Sequence, residues 1–135
     1  MLLALSLAAL AAACSGELRR NPVEGQVLVA GQPAAQAVVV FVPTEGSAKW
    51  APRGTCDAAG NFHLTTFRTD DGAPSGSYKV VIEWREPRRE VPGLPEKEWP
   101  PGVDRLQGRY DSPEKSTLTA TVMSGRNVLP PFQLP

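Results

Sequence analysis

The sequence is poor in the residues that carry most protein chemistry: one histidine, two cysteines and 7% aromatic residues in a chain of 135. A single histidine cannot supply a two-His zinc site, so a zinc peptidase is excluded. No Gly-x-Ser-x-Gly elbow, phosphate loop or dinucleotide fingerprint occurs, and neither a catalytic residue nor a cofactor is expected. An excess of charge of one sign is also missing. Fourteen Lys and Arg balance fourteen Asp and Glu, which argues against nucleic acid as a partner. Beyond residue 13 there is no long hydrophobic run either; the longest is Ala37–Val42, far short of a membrane span.

What the sequence does contain divides at residue 13. Met1 to Ala13 hold twelve apolar residues and one serine, whereas all fourteen Pro and twelve Gly lie in the 122 residues that follow. That is about a fifth of those residues, against roughly 12% on average. Chain punctuated so often has no room for long helices, and an α-helical bundle is excluded.

Residues 2–13 would reach about 20 Å as a helix, short of the ~30 Å hydrocarbon core, which suits the apolar region of a signal peptide better than a membrane span. Immediately after comes Ala11-Ala12-Ala13-Cys14, which resembles the lipobox of bacterial lipoproteins. Small side chains there fit the signal peptidase, and only a thiol can carry the thioether-linked diacylglycerol. Ala11 stands where that motif usually has Leu, and no Lys or Arg precedes the apolar run, which a start codon further upstream would explain. The expectation is a signal peptide over 1–13, lipidation at Cys14 and a polar tether over 14–22. The protein is then exported and held in the cell envelope, on the periplasmic face or at the cell surface, its first partner being the membrane itself. Three acyl chains at about 0.8 kcal/mol per buried CH₂ make such an anchor firm. Ser15 is compatible with outer-membrane sorting. Cys56 is left without a partner, and with no Lys or His beside it in Arg53-Gly54-Thr55-Cys56-Asp57 it reads as a small buried hydrophobe.

From Val23 the pattern turns to period two. Val23, Gly25, Val27 and Val29 share one face; Gln36–Val42 is apolar on both faces and so central in its sheet. Arg53–Asp57 and Asn61–Thr66 read as two strands joined by Asp57-Ala58-Ala59-Gly60, where glycine supplies the positive φ of a tight hairpin. Phe62 and Leu64 share a face, which puts His63 on the other. Tyr78, Val80, Ile82 and Trp84 alternate against Lys79 and Glu83, and Leu118, Ala120 and Val122 against Thr117, Thr119 and Thr121, while Pro130-Pro131 confines Arg126–Leu134 to a sheet edge. Seven short strands without a credible helix predict an all-β, seven-stranded antiparallel β-sandwich over 23–135. Its exception is Arg85–Lys115, a long irregular loop before the penultimate strand with six prolines and seven charges of each sign.

Five segments in order carry a family resemblance: Val23-Glu24-Gly25-Gln26-Val27, Gly31-Gln32-Pro33, Ala37-Val38-Val39-Val40-Phe41, Asp57-Ala58-Ala59-Gly60-Asn61-Phe62 and Gly76-Ser77-Tyr78-Lys79-Val80. Together they resemble the carboxypeptidase regulatory-like, or transthyretin-like, domain over about 22–135. The chain is similar to small bacterial lipoproteins carrying this one domain, which also place a tyrosine, a proline and a serine before the penultimate strand, here Tyr110, Pro113 and Ser116. The resemblance implies a Greek-key topology and a folding, adhesion or binding accessory. Relatives of the fold that hydrolyse 5-hydroxyisourate use several histidines and a C-terminal Tyr-Arg-Gly-Ser; this chain has His63 alone and ends Phe132-Gln133-Leu134-Pro135.

His63 is most simply a solvent-face strand residue. Asp57 with Asn61, and Asp70 with Asp71, fall short of the oxygen-ligand series of a calcium loop and are explained as turn residues, so no metal is expected. Trp84 belongs with its strand in the core. Trp50, Trp99 and Tyr110 fall in loops, where a flat ring can stack on a sugar or a peptide or fold back over the end of a sandwich. They are the candidate ligand contacts. The expected function is a non-enzymatic, lipid-anchored envelope protein whose sandwich is a structural or protein-interaction module. The alternatives are a polysaccharide-binding lipoprotein using these aromatics and, less suited to the residues present, a transthyretin-related hydrolase.

Overall fold

Alternating β-branched and aromatic residues bury one face of a strand and wet the other, and the period-two segments become strands on that account. A computed structural model describes residues 18–46 and 49–135; the expected signal peptide and Cys14 lie outside the described residues. The strands are β1 (Val23–Val29), β2 (Gln32–Pro33), β3 (Val38–Pro43), β4 (Arg53–Thr55), β5 (Asn61–His63), β6 (Gly76–Glu83), β7 (Thr119–Val122), β8 (Asn127–Val128) and β9 (Phe132–Leu134). One 3₁₀ turn, Glu96–Glu98, is the only helical piece among the described residues.

The strands form two sheets. In the first, β1 is central, antiparallel to β2 and β5 and parallel to β8 and β9. The second runs β4-β3-β6-β7, antiparallel throughout, with β3 inside as its double-sided apolar pattern requires. The expectation of seven antiparallel strands is therefore corrected to nine among the described residues, with one mixed sheet. Prolines account for part of the count, because Pro130-Pro131 lack the N–H groups to continue a ladder and split the last edge strand into β8 and β9. The direction follows from the crossing: after β7 in the second sheet, the chain returns along the open edge of β1 in the same sense as β1.

One hydrophobic core fills the space between the sheets. Val23 and Val27 of β1, Phe62 of β5, Val39 and Phe41 of β3, and Tyr78, Val80 and Ile82 of β6 are all buried in it. Phe41 meets Phe62 edge-on across the two sheets at 6.4 Å, and Tyr78 lies 5.6 Å from Phe41. The Tyr78 hydroxyl donates to the Pro74 carbonyl at 2.5 Å, and burial pushes its pKa up to about 12. The hairpin expected at Arg53–Thr66 forms, with Arg53 and Thr65 exchanging two backbone bonds and Asp57 N–H donating to the Asn61 carbonyl, and its arms also reach different sheets: β4 pairs with β3 and β5 with β1. Its turn is built as the residues suggest, with Gly60 at φ 80° and Asp57 Oδ1 accepting from the N–H groups of Ala59 and Asn61.

Strand directions define two ends. At one end β1, β6 and β8 begin and β3, β5 and β7 finish, and the N-terminal segment leaves the domain there. At the other lie the Ala30-Gly31 turn, Cys56 and the long segment between β6 and β7.

That long segment has two characters. Residues 86–103 are mostly exposed. From Asp104 the chain is pinned to the free edge of β6. Trp84 N–H donates to Asp104 Oδ1 at 3.0 Å, Ile82 N–H to the Tyr110 carbonyl at 2.9 Å, and Val80 N–H to the Leu118 carbonyl at 3.0 Å. Ser116, buried, returns a bond from its hydroxyl to the Val80 carbonyl, and Leu106 fills the core. β7 pairs only with Gly76–Lys79, so irregular chain covers the rest of that edge.

Candidate functional site

A surface depression of about 460 Å³ lies on the outer face of the first sheet beside Glu24, Gln26, Asn61 and His63. Its shape comes from the strand pattern. Gly25 turns inward, where a Cβ would stand 2.5 Å from the Phe62 ring, while its neighbours point out. His63, on the outer face as its alternation with Phe62 and Leu64 requires, is exposed, and its Nδ1 is 4.0 Å from Glu24 Oε2. Glu24 is engaged by Arg126. That hydrogen bond, against opposing burial and with the Arg126 and His63 charges adding, holds its carboxyl below the usual value. At 4.0 Å the His63 imidazole is beyond hydrogen-bond reach of that carboxylate.

The acidic turns are likewise occupied. Asp71 Oδ1 accepts from Thr66 N–H at 2.7 Å, and Oδ2 accepts from Phe67 and Arg68 N–H and meets Arg20 Nε at 3.0 Å. Burial works against ionising Asp71, but these N–H groups and the Arg20 guanidinium outweigh it and hold the carboxyl below its ordinary range. Among the described residues no group of three or more His, Cys, Asp or Glu side chains is placed to hold a metal ion. Cys56 is free and buried; burial, with the Asp57 charge adding, pushes its thiol up to about 12.

The three loop aromatics go to different places. Trp50 packs on the core beside Tyr78, ring centroids 6.4 Å apart, at the end where β6 begins. Trp99 lies in the exposed segment beyond the other end of β6, half-buried, its indole N–H donating to the Leu94 carbonyl at 3.0 Å. Tyr110 is packed against the core from the pinned segment, with Arg109 over its ring at 5.6 Å. Six residues of extended strand, about 20 Å, separate Tyr78 from Trp84, so Trp50 and the segment carrying Trp99 sit at opposite ends. Trp84 is half-buried at the far end, its indole N–H donating to the Ala35 carbonyl at 2.9 Å and Arg105 stacked over it at 4.8 Å.

One organising residue has no counterpart in the sequence reading. Asn21, placed by sequence in the tether, is buried, 2% exposed. Its Nδ2 donates to the Ala73 carbonyl at 3.3 Å and to Ser75 Oγ at 3.1 Å, its Oδ1 accepts from Gly125 N–H at 3.1 Å, and its backbone exchanges two bonds with Ala73. Gly72 makes this possible, since a Cβ there would fall 1.8 Å from the Asn21 carbonyl oxygen. The local signal was an Asn-Pro pair directly before the first strand.

Among the described residues no helix is long and apolar enough to cross a membrane. No family model matches the chain, and no curated protein matches it. Among solved structures it is similar to a DUF3823 family protein from Bacteroides ovatus, at 13% identity and a TM-score of 0.46, over 84% of this chain and 44% of that one. It is also similar to a 9R-lipoxygenase from Cyanothece, at 10% identity and a TM-score of 0.47, over 87% of this chain and 17% of that one. The chain thus spans less than half of the first structure and less than a fifth of the second.

Proposed function

We propose that this is a non-enzymatic, lipid-anchored protein of the cell envelope, exported and held by Cys14, whose single β-domain is a structural or protein-interaction module. The observation that carries the reading is the position of Cys14. It follows an apolar stretch and three alanines, and stands six residues before Arg20, where the folded contacts with Asp71 begin. The non-enzymatic half rests on the chemistry around His63, an exposed imidazole beside a carboxylate already engaged by Arg126. We read the domain itself as a transthyretin-like Greek-key sandwich. Supporting that are two sheets over one core and the Tyr78 hydroxyl bonded back to the backbone four residues upstream, a device of Greek-key sandwiches.

Intact-mass analysis of detergent-extracted protein tests the anchor. The expected product starts at Cys14 and carries added acyl mass, and a Cys14→Ala variant leaves the membrane fraction. A mature chain with an unmodified Cys14, or a Cys14→Ala variant that stays membrane-bound, overturns the reading.

A further inference from the structure

Three large apolar side chains stand exposed at the end of the domain from which the N-terminal segment leaves: Leu18 at 46%, Phe67 at 55% and Met123 at 68%; Leu94 and Val103, exposed in the long segment, and Val128 on β8 lie elsewhere. The three at this end are each carried by a different segment, and Asn21 ties them together, through Ala73 and Ser75 to the Phe67 turn and through Gly125 to the Met123 turn. The turns are firmly built. Asp71 gathers the N–H groups of residues 66–68, and Asn127 bonds both Met123 N–H and the Met123 carbonyl. Phe67 and Met123 are therefore held outward by rigid loops rather than left there by fraying.

Charge at this end is mixed. Arg19 and Arg68 are exposed, Arg20 stacks on the Phe67 ring at 5.2 Å while pairing with Asp71, and Arg126 extends from the Met123 turn to Glu24. Asp70 is the acid beside Arg68, Glu45 and Lys49 offset one another, and Glu17 precedes Leu18 in sequence. Exposed apolar side chains with arginines of long apolar stem on their flanks match the interfacial region of a bilayer, where acyl chains meet headgroups.

Chain length decides where this end must sit. From Cys14 to Arg20 is six residues, at most about 20 Å of extended chain. We propose that Leu18, Phe67 and Met123, with Arg19 and Arg68 on their flanks, form a docking face for the lipid surface that holds the Cys14 acyl chains, which sets the domain upright on its membrane. This rests on the Cys14 anchor proposed above. The segment carrying Trp99 then points away from the bilayer.

The test uses the lipidated full-length protein in vesicles of phosphatidylethanolamine with a minority of phosphatidylglycerol. A polarity-sensitive dye is placed by Phe67→Cys, Met123→Cys or, as the distal control, Val103→Cys, with Cys56 protected by its burial. Quenching by nitroxide-labelled lipid is expected to cut emission at 67 and 123 about twofold, as for groups about 5–10 Å into the headgroup region, and to leave 103 unchanged. Equal, weak quenching at all three positions on a chain whose mass shows lipid on Cys14 overturns the docking face and leaves the anchor standing. A blue-shifted dye at 67 that lipid does not quench means a protein partner or second copy covers the face, which also overturns it. A chain without lipid on Cys14 removes the anchor and the docking face together.

Discussion

The two ends of the domain reach order by opposite means. At the end where the N-terminal segment leaves, two short loops meet on one buried amide, Asn21, which donates to Ala73 and Ser75 of one and accepts from Gly125 of the other. At the other end one long segment supplies its own order, with Asp104 gathering the N–H groups of Trp84, Leu106 and Gly108 and Leu106 plugging the core. The first end is a polar knot, in which every partner must be present because a buried donor or acceptor left unpaired costs about 1–3 kcal/mol. The second is an apolar plug with a polar collar, which fails by leaving a cavity. Residues 86–103 hang from that collar with little burial, so this end can vary its exposed chain without disturbing the core.

The sharpest way to break this contrast is Gly72→Ala. A methyl 1.8 Å from the Asn21 carbonyl, at φ 88°, forces the knot apart, and the expected cost exceeds about 3 kcal/mol in urea unfolding. Wild-type stability in that variant would mean that the knot does not hold this end. At the far end, Leu106→Ala is expected to cost about 2–3 kcal/mol by cavity formation, with the same slope against urea.

A smaller effect separates the ends by pH. Asp71 has a carboxyl held below its ordinary range, so its contribution is fully present above that range and is lost as pH falls through its folded value. Asp71→Asn is expected to cost about 1–2 kcal/mol at neutral pH, the gap from wild type closing below about pH 4. A gap that persists at acid pH would assign the loss to packing instead. Least of all, Trp99→Ala should cost under about 0.5 kcal/mol in thermal unfolding, since its ring lies in the exposed segment and outside the core.

Much of the architecture was legible because it is local. Period two marks β1, β6 and β7, the double-sided apolar run of β3 predicts its inner position, and Pro130-Pro131 predicts an edge. His63 faces out and Cys56 is buried, as their neighbours imply. Three things were not legible, each because it depends on partners far away in sequence. β4 and β5 are the arms of one hairpin, as read, but nothing in residues 53–66 says that each arm also pairs into a different sheet. Asn21 reads as polar tether, since its partners lie 52 to 104 residues downstream. Within Arg85–Lys115, Leu106 and Asp104 carry the order singly, with no periodicity to reveal them. The loop aromatics show the same limit: a ring outside a strand is visible in sequence, but the end of the domain to which it belongs is not.

The covering of β6 has a consequence for encounters between copies of the chain. A sheet edge with free N–H groups is a template for another strand. Beyond Lys79 the outward N–H groups of β6 are satisfied by a carboxylate and by carbonyls of chain that runs irregularly, so they are spent without presenting a new ladder in turn. Growth by strand addition stops there. The long segment is thus a terminator of the sheet as well as a carrier of exposed chain, and shortening it from the Asp104 side would reopen an adhesive edge.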